Sequence, residues 1–246
     1  MDMTSFLGFF AIAALAVLGL LTGGLPAVFL NWHGITIVLG GTFCALLVNT
    51  PSQFLFKALG SLTDLFSSNP YEDIGAIMDA TVQLAQDVQS KGLTAFQNAN
   101  GTVGKGYVAY ASQVALDYND PDTVYHILQD EIDRGFDAQN ETINVFRTAG
   151  ILAPMFGLLG TLIGIVEVLR QIANPAQVGP AMATAITTAF YGISLANMFC
   201  VPVSGKLRLR YWRESQAKSM VAEAVSMTLR KTPPVIIARK LRSYLS

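Results

Sequence analysis

The sequence predicts an all-α integral membrane protein. It would have four transmembrane helices, a helical cytoplasmic domain between spans 2 and 3, and a basic helical C-terminal tail. Three observations predict it. Residues 3–56 contain no Asp, Glu, Lys or Arg, and residues 148–166 and 171–205 are charge-free too. The chain is 52% hydrophobic and only 13% charged, about half the charged share of a soluble domain. The remaining charges are crowded into two stretches between and after these runs. A charge at the centre of a membrane helix costs about 2.5–3.5 kcal/mol even on the mildest scale, so long gaps in charge mark lipid-facing chain.

A span needs about 20 apolar residues at 1.5 Å rise each. Residues 3–56 are long enough for two spans, with Gly23-Gly24-Leu25-Pro26 as the turn and residues 35–56 as the second span. Residues 148–166, extended to about Leu169, give the third. Residues 179–205 give the fourth, after the Asn174-Pro175 break. The N-terminal region carries Asp2 and no Lys or Arg, so the first span reads as a retained anchor and not as a cleaved signal. The expected division is 1–56 (first hairpin), 57–147 (cytoplasmic domain), 148–205 (second hairpin) and 206–246 (tail).

Orientation follows from the basic residues. Residues 22–34 and 171–178 have none, 57–147 have five, and the tail from Lys206 has ten. Basic residues mark the cytoplasmic side, which puts both termini and the long middle segment inside. That segment has thirteen acidic residues and a net charge of −8, whereas the tail has net +8. The halves are expected to attract each other, with the anionic membrane surface holding the tail; the alternative is that the acidic segment faces a charged partner.

Asn69-Pro70-Tyr71-Glu72 reads as a helix start, with Asn as cap and Pro in the first turn. The helix should run to about Ser90 and break at Lys91-Gly92. Further helical pieces are expected over 94–98 and 107–116. Asp120-Pro121 starts another helix, with Val124, Ile127, Leu128, Ile132 and Phe136 at helical spacing, continuing unbroken into the third span. The fourth span should continue inward to Lys231, where Thr232-Pro233-Pro234 stops it. A short amphipathic piece follows, with Val235, Ile236, Leu241 and Leu245 as its apolar side. Cys44 and Cys200 read as small buried side chains, and His33 as a polar loop residue.

The residues of chemical interest lie in the last two spans. Pro154, Gly157, Thr161 and Gly164 recur at i, i+3, i+7 and i+10. Pro154 leaves the carbonyl of Gly150 without its helical partner, and the small residues admit a close neighbouring helix. Simple helix packing accounts for the glycines; Thr161 adds a hydroxyl that needs a partner at membrane depth. In the fourth span Thr184, Thr187, Thr188 and Tyr191 form a hydroxyl stripe, and Pro202 frees the carbonyl of Met198. A lone Thr bonds back to its own helix; four hydroxyls on one face suggest a lined pathway. Glu167 and Arg170 read as an interfacial ion pair. No carboxylate, His or Lys lies mid-membrane, so a cation route through this chain would borrow its negative group from another protein. Nothing points to an enzyme, a nucleic-acid partner or a cofactor; a Na⁺ or H⁺ would be cargo.

Residues 153–165, 172–205 and the ending Pro234-Val235-Ile236…Lys240-Leu241…Tyr244-Leu245 resemble the MotA/PomA stator subunits of the bacterial flagellar motor, in the wider MotA/TolQ/ExbB superfamily. The pattern Gly179-Pro180-Ala181-Met182-Ala183…Thr187-Thr188…Tyr191-Gly192…Asn197…Pro202…Lys206-Leu207 carries most of the likeness. The resemblance implies a multi-pass protein of the bacterial inner membrane. It implies a homopentamer around two copies of a single-span MotB/PomB-like subunit that supplies the ion-carrying Asp, and a rotor protein of the flagellar switch complex (FliG-like) as target. It matches Pro154 and Pro202 to the family's two functional prolines and Thr161 and Thr188 to the threonines near its ion site; together with Met155, Gly157, Gly164, Thr184, Thr187 and Tyr191 these are the expected ion-path and partner-facing residues. It favours Na⁺ over H⁺, with the ion near Thr161 and Thr188. Family members place an Arg and a Glu at rotor-facing positions; here Gln89 and Gln97 stand there, with Lys91 the only charge beside them, so that coupling would rely on other charges such as Asp87 or Lys105, or the rotor would not be flagellar. The alternatives are an ExbB/TolQ-like proton-driven energiser and a non-conducting membrane scaffold.

Overall fold

A computed structural model of the chain describes residues 31–99 and 101–244, together with residues 7, 8, 10–12, 14, 15 and 18. The expected first span and the Gly23–Pro26 turn lie outside the continuous described stretch. The elements from Trp32 onward are all helical. They are α1 (Trp32–Asn49), α2 (Ser52–Asp64), α3 (Ile74–Lys91), α4 (Tyr107–Tyr118), α5 (Pro121–Arg170), α6 (Pro175–Leu229) and α7 (Pro234–Leu241), with short 3₁₀ turns at Leu93–Asn98, Val103–Gly106 and Arg242–Tyr244. Among the described residues, α1, α5 and α6 are long and apolar enough to cross a membrane. The chain divides into two compact units. One comprises Met1–Ser67 and Asn140–Arg208, the other Ser68–Gln139 and Leu209–Ser246.

In the first unit α1 starts earlier and stops sooner than residues 35–56. Asn31 caps it, its side-chain oxygen accepting from Gly34 N at 3.2 Å. It ends at Asn49 because Thr50 precedes Pro51 and is extended (φ −129°, ψ 130°), the conformation that a following proline imposes. His33 therefore lies in a helical first turn and not in a loop. Two π-helical turns interrupt the long helices, at Thr36–Gly40 in α1 and Leu195–Cys200 in α6. The outward faces carry large apolar side chains such as Phe43, Leu158, Leu162 and Ile186, which are exposed, as a helix facing lipid requires. Cys200 is buried, as read from the sequence, but Cys44 is on the exposed face of α1; both thiols are free.

The second unit is a helical bundle with a conventional apolar core. Val124, Leu128 and Ile132 of α5 meet Met220, Val221 and Val225 of α6, Val108 and Ala111 of α4, and Ile237 and Leu241 of α7. Most helix ends fall where the sequence places them. Gly92 (φ +80°) ends α3, and Asp120 caps α5 by accepting from Thr123 N at 2.8 Å. α5 is a single helix through the junction of acidic and charge-free sequence. Two readings need correction. The cap of α3 is Asp73, which accepts from Ala76 N at 2.9 Å; Asn69 instead turns the chain by accepting from Tyr71 N at 3.1 Å. On α7 the buried residues are Ile237 and Leu241, whereas Val235 is 73% exposed and Ile236 51% exposed. Residues 245–246 lie outside the described stretch, so Leu245 is not placed.

Candidate functional site

The candidate site forms where α5, α6 and α1 meet in the first unit. Glycine decides how close the helices come. A Cβ at Gly157 would stand 2.9 Å from the carbonyl oxygen of Thr188, and one at Gly160 would stand 2.6 Å from Thr188 Cβ. At Gly164 it would be 2.6 Å from Ala185 Cβ, and at Gly192 2.5 Å from the carbonyl oxygen of Ala153. Real side chains essentially never approach this closely, so α5 and α6 touch backbone to backbone, as small-residue seams in membranes do.

This seam splits the predicted stripe on α5. Gly157 and Gly164 are buried in it, joined by Gly160 and Ala153, whereas Pro154 and Thr161 are half-buried at its edge and Met155 is exposed. At 100° per residue the four stripe positions cover about 80° of arc, and the seam is centred on the glycine side of that arc. Thr161 donates its hydroxyl to the carbonyl of Leu158 at 2.6 Å.

The hydroxyl stripe of α6 is drawn inward. Thr187 and Thr188 are 1% and 0% exposed. Thr187 Oγ1 donates to Thr184 O at 3.2 Å, Thr188 Oγ1 to Thr184 O at 3.1 Å and Ala185 O at 2.9 Å, and Thr184 Oγ1 to Pro180 O at 3.2 Å. The protons are thus held by the helix itself, which leaves the oxygen lone pairs as the free chemistry of the stripe. Gly34 of α1 lies against this face, and a Cβ there would meet Thr188 Cγ2 at 3.0 Å and Tyr191 at 3.4 Å.

Asn31 completes the arrangement. Its Nδ2 donates to Thr184 Oγ1 at 2.7 Å and its backbone N to the Tyr191 hydroxyl at 3.0 Å, while its Oδ1 caps α1. Sequence reading missed it. An Asn ahead of an apolar run signals a helix cap, but nothing in spacing shows that its amide reaches a residue 153 positions away. The π turns were missed as well. The one in α6 precedes the exposed Pro202, and Asn197 Nδ2 within it donates to Ile193 O at 3.1 Å. Thr42 Oγ1 of α1 is buried without a partner among the described residues. Glu167 and Arg170 form the expected ion pair at 3.5 Å.

The residues expected to face a rotor lie in the second unit. Asp87 and Lys91 pair with each other at 2.6 Å in the open. Gln89 is exposed and helps line a cavity of about 560 Å³ with Val88, Gly92, Asn119 and Lys231. Gln97 is exposed on the 3₁₀ turn that follows. Deeper in this unit Lys218 pairs with Glu214 at 2.7 Å and sits over the rings of Tyr107 (5.3 Å) and Tyr71 (5.8 Å). A hydrogen bond to the Glu131 carboxylate, then burial, pushes the Tyr110 phenol up to about 12. Burial, then nearby carboxylates, raises Tyr71 and Tyr107 further.

A polytopic helical protein whose spans meet in a carboxylate-free, hydroxyl-bearing seam is the class that this geometry defines. Residues 104–220 match the model of the MotA/TolQ/ExbB proton channel family. It is 28% identical over 248 residues to the chemotaxis protein PomA of Vibrio alginolyticus, covering 100% of this chain and 96% of that one. It is 27% identical over 246 residues to motility protein A of Treponema pallidum, with 100% and 95% covered. Its fold matches a chain of the flagellar MotAB stator complex from Bacillus subtilis with a TM-score of 0.88 at 24% identity, covering 100% of this chain and 96% of that chain. It matches a chain of C. jejuni MotAB with a TM-score of 0.87 at 19% identity, with the same coverage.

Proposed function

We propose that this chain is a MotA/PomA-like stator subunit of a bacterial flagellar motor. With a single-span MotB/PomB-like partner it forms a cation channel, Na⁺ favoured over H⁺, that couples ion flow to torque on a FliG-like rotor protein. The observation that carries this reading is the seam itself. It offers hydroxyl oxygens whose protons are already committed to helix carbonyls, and it contains no charge. Such oxygens suit a hard cation, but transit through hydrocarbon needs an ionisable group, which the partner's Asp supplies. The names of the relatives, motility protein A and chemotaxis protein PomA, support it. Thr161, at the open edge of the seam, is the reachable oxygen. Thr188, behind it, fixes the spacing of the two helices.

In this reading copies of the chain form a pentamer in the inner membrane with both termini cytoplasmic, and the second unit faces the rotor through the region of Asp87, Gln89, Lys91 and Gln97. The test is swimming speed in cells carrying this chain and its partner. Replacing sodium by potassium should stop motility, and Thr161→Ala or Thr188→Ala should slow it while leaving the protein in the membrane. Normal speed in both variants would remove the ion-path assignment. Speed that is indifferent to sodium would assign the route to protons.

A further inference from the structure

We propose that the exposed face of α7 docks on the α5 helix of a second copy of this chain, its Arg239 and Arg242 meeting that copy's Asp130, Asp133 and Asp137. This deepens the homo-oligomer reading above, and it rests on separate observations. Val235 and Ile236, 73% and 51% exposed, form an apolar pair on the outside of a polar unit. Arg239 lies one turn beyond Val235, and Arg242 three residues further; both are exposed and neither pairs with a carboxylate among the described residues. Lys240 is already held by Glu223 at 3.4 Å. The result is a stripe at i, i+4 and i+7 that is apolar at one end and cationic at the other.

The complementary stripe is on α5. Asp130, Asp133 and Asp137 stand at i, i+3 and i+7, all exposed. Asp133 accepts from Gln129 Nε2 at 3.1 Å, and none of the three has a cation partner among the described residues. Arg134, the nearest candidate, turns its Nε to the backbone carbonyl of Asp130 at 3.1 Å. The two stripes each run about 10 Å along their helices at 1.5 Å per residue, so their charges can be brought into register. Both face outward from the same compact unit, so they meet only between molecules. A contact of one patch with a different patch on the next copy is head-to-tail, and it closes into a ring when the rotation allows. Opposite charges at such a contact fix its register and exclude wrong pairings.

Cross-linking of the full chain in membranes tests this. Two differently tagged copies are co-expressed without native thiols (Cys44→Ser, Cys200→Ala), one with Ser243→Cys and the other with His126→Cys, which is exposed on the aspartate face one turn before Asp130. A bismaleimide should join them into a mixed dimer. Arg239→Glu with Arg242→Glu in the first copy should cut the yield by about tenfold, and Asp133→Arg with Asp137→Arg in the second should restore it. Labelling with a single-headed maleimide shows that both thiols are reachable. No mixed dimer from reachable thiols, or a yield indifferent to charge reversal, overturns the proposal. So does loss of binding to phosphatidylglycerol vesicles with the cross-link intact, which would give the face to lipid. Motility is not the readout: a cross-link in non-swimming cells would count against the motor reading and leave this contact standing.

Discussion

Tyr107 shows how a single side chain holds opposing terms together. Its ring is buried and carries the Lys218 ammonium, while its hydroxyl is buried without a hydrogen-bond partner among the described residues. A buried polar group left unpaired costs about 1–3 kcal/mol, whereas the ring contact survives removal of the oxygen. Tyr107→Phe should therefore leave thermal stability unchanged or raise it by up to about 1 kcal/mol. A clear fall in melting temperature of the purified protein would show that the hydroxyl has a role this structure does not reveal. Asn31 is the opposite case, a polar side chain with every group engaged. Both were illegible in the sequence for the same reason. Hydrogen-bond satisfaction is a property of neighbours, and neighbours distant in sequence are not encoded by local spacing.

Helix starts, breaks and faces were legible wherever the determinant is local. Asp120-Pro121, Gly92 and the Pro233-Pro234 stop act within a turn of themselves, and the structure follows them. Where two local signals competed, position in the fold decided. Asn69 and Asp73 are both good caps, and Asp73 won because α3 begins where Ile77 can enter the core. The apolar pair Val235-Ile236 lost the buried face of α7 to Ile237 and Leu241 for the same reason. The seam between α5 and α6 gives a sharp prediction. Gly192→Val would drive a side chain into the carbonyl of Ala153, and overpacking of this kind costs about 1–3 kcal/mol or more. The variant should melt lower in detergent, while Gly179→Val, with nothing within 4 Å, should not. Equal behaviour of the two variants would mean that α5 and α6 do not rely on this contact.

At the scale of the molecule, a unit poor in charge and a charge-rich unit respond to different conditions. Four phenols of the second unit, Tyr71, Tyr107, Tyr110 and Tyr244, have pKa values raised by burial and by carboxylates; Tyr244 is half-buried and donates to Glu223 at 2.8 Å. A free Tyr titrates near 10, so in the unfolded chain these groups ionise first. The stabilisation is fully present below about pH 10 and is lost as pH rises toward the folded values, about 12 for Tyr110. Thermal unfolding followed from pH 8 upward should be flat until about 10 and then fall steeply. A flat profile to pH 11 would show that these phenols titrate as if exposed.

By itself the sequence determined the class of protein, the helical content, the long α5 and α6 and the absence of any intramembrane carboxylate. Each of these follows from composition or from interactions within a turn of chain. The tertiary structure alone decided which face of each helix is buried. It placed Thr187 and Thr188 inside the seam with Thr161 at its edge, and it brought Asn31 to Thr184. Those outcomes depend on which backbones approach within contact distance, and the 3.6-residue repeat of a helix does not specify its neighbour.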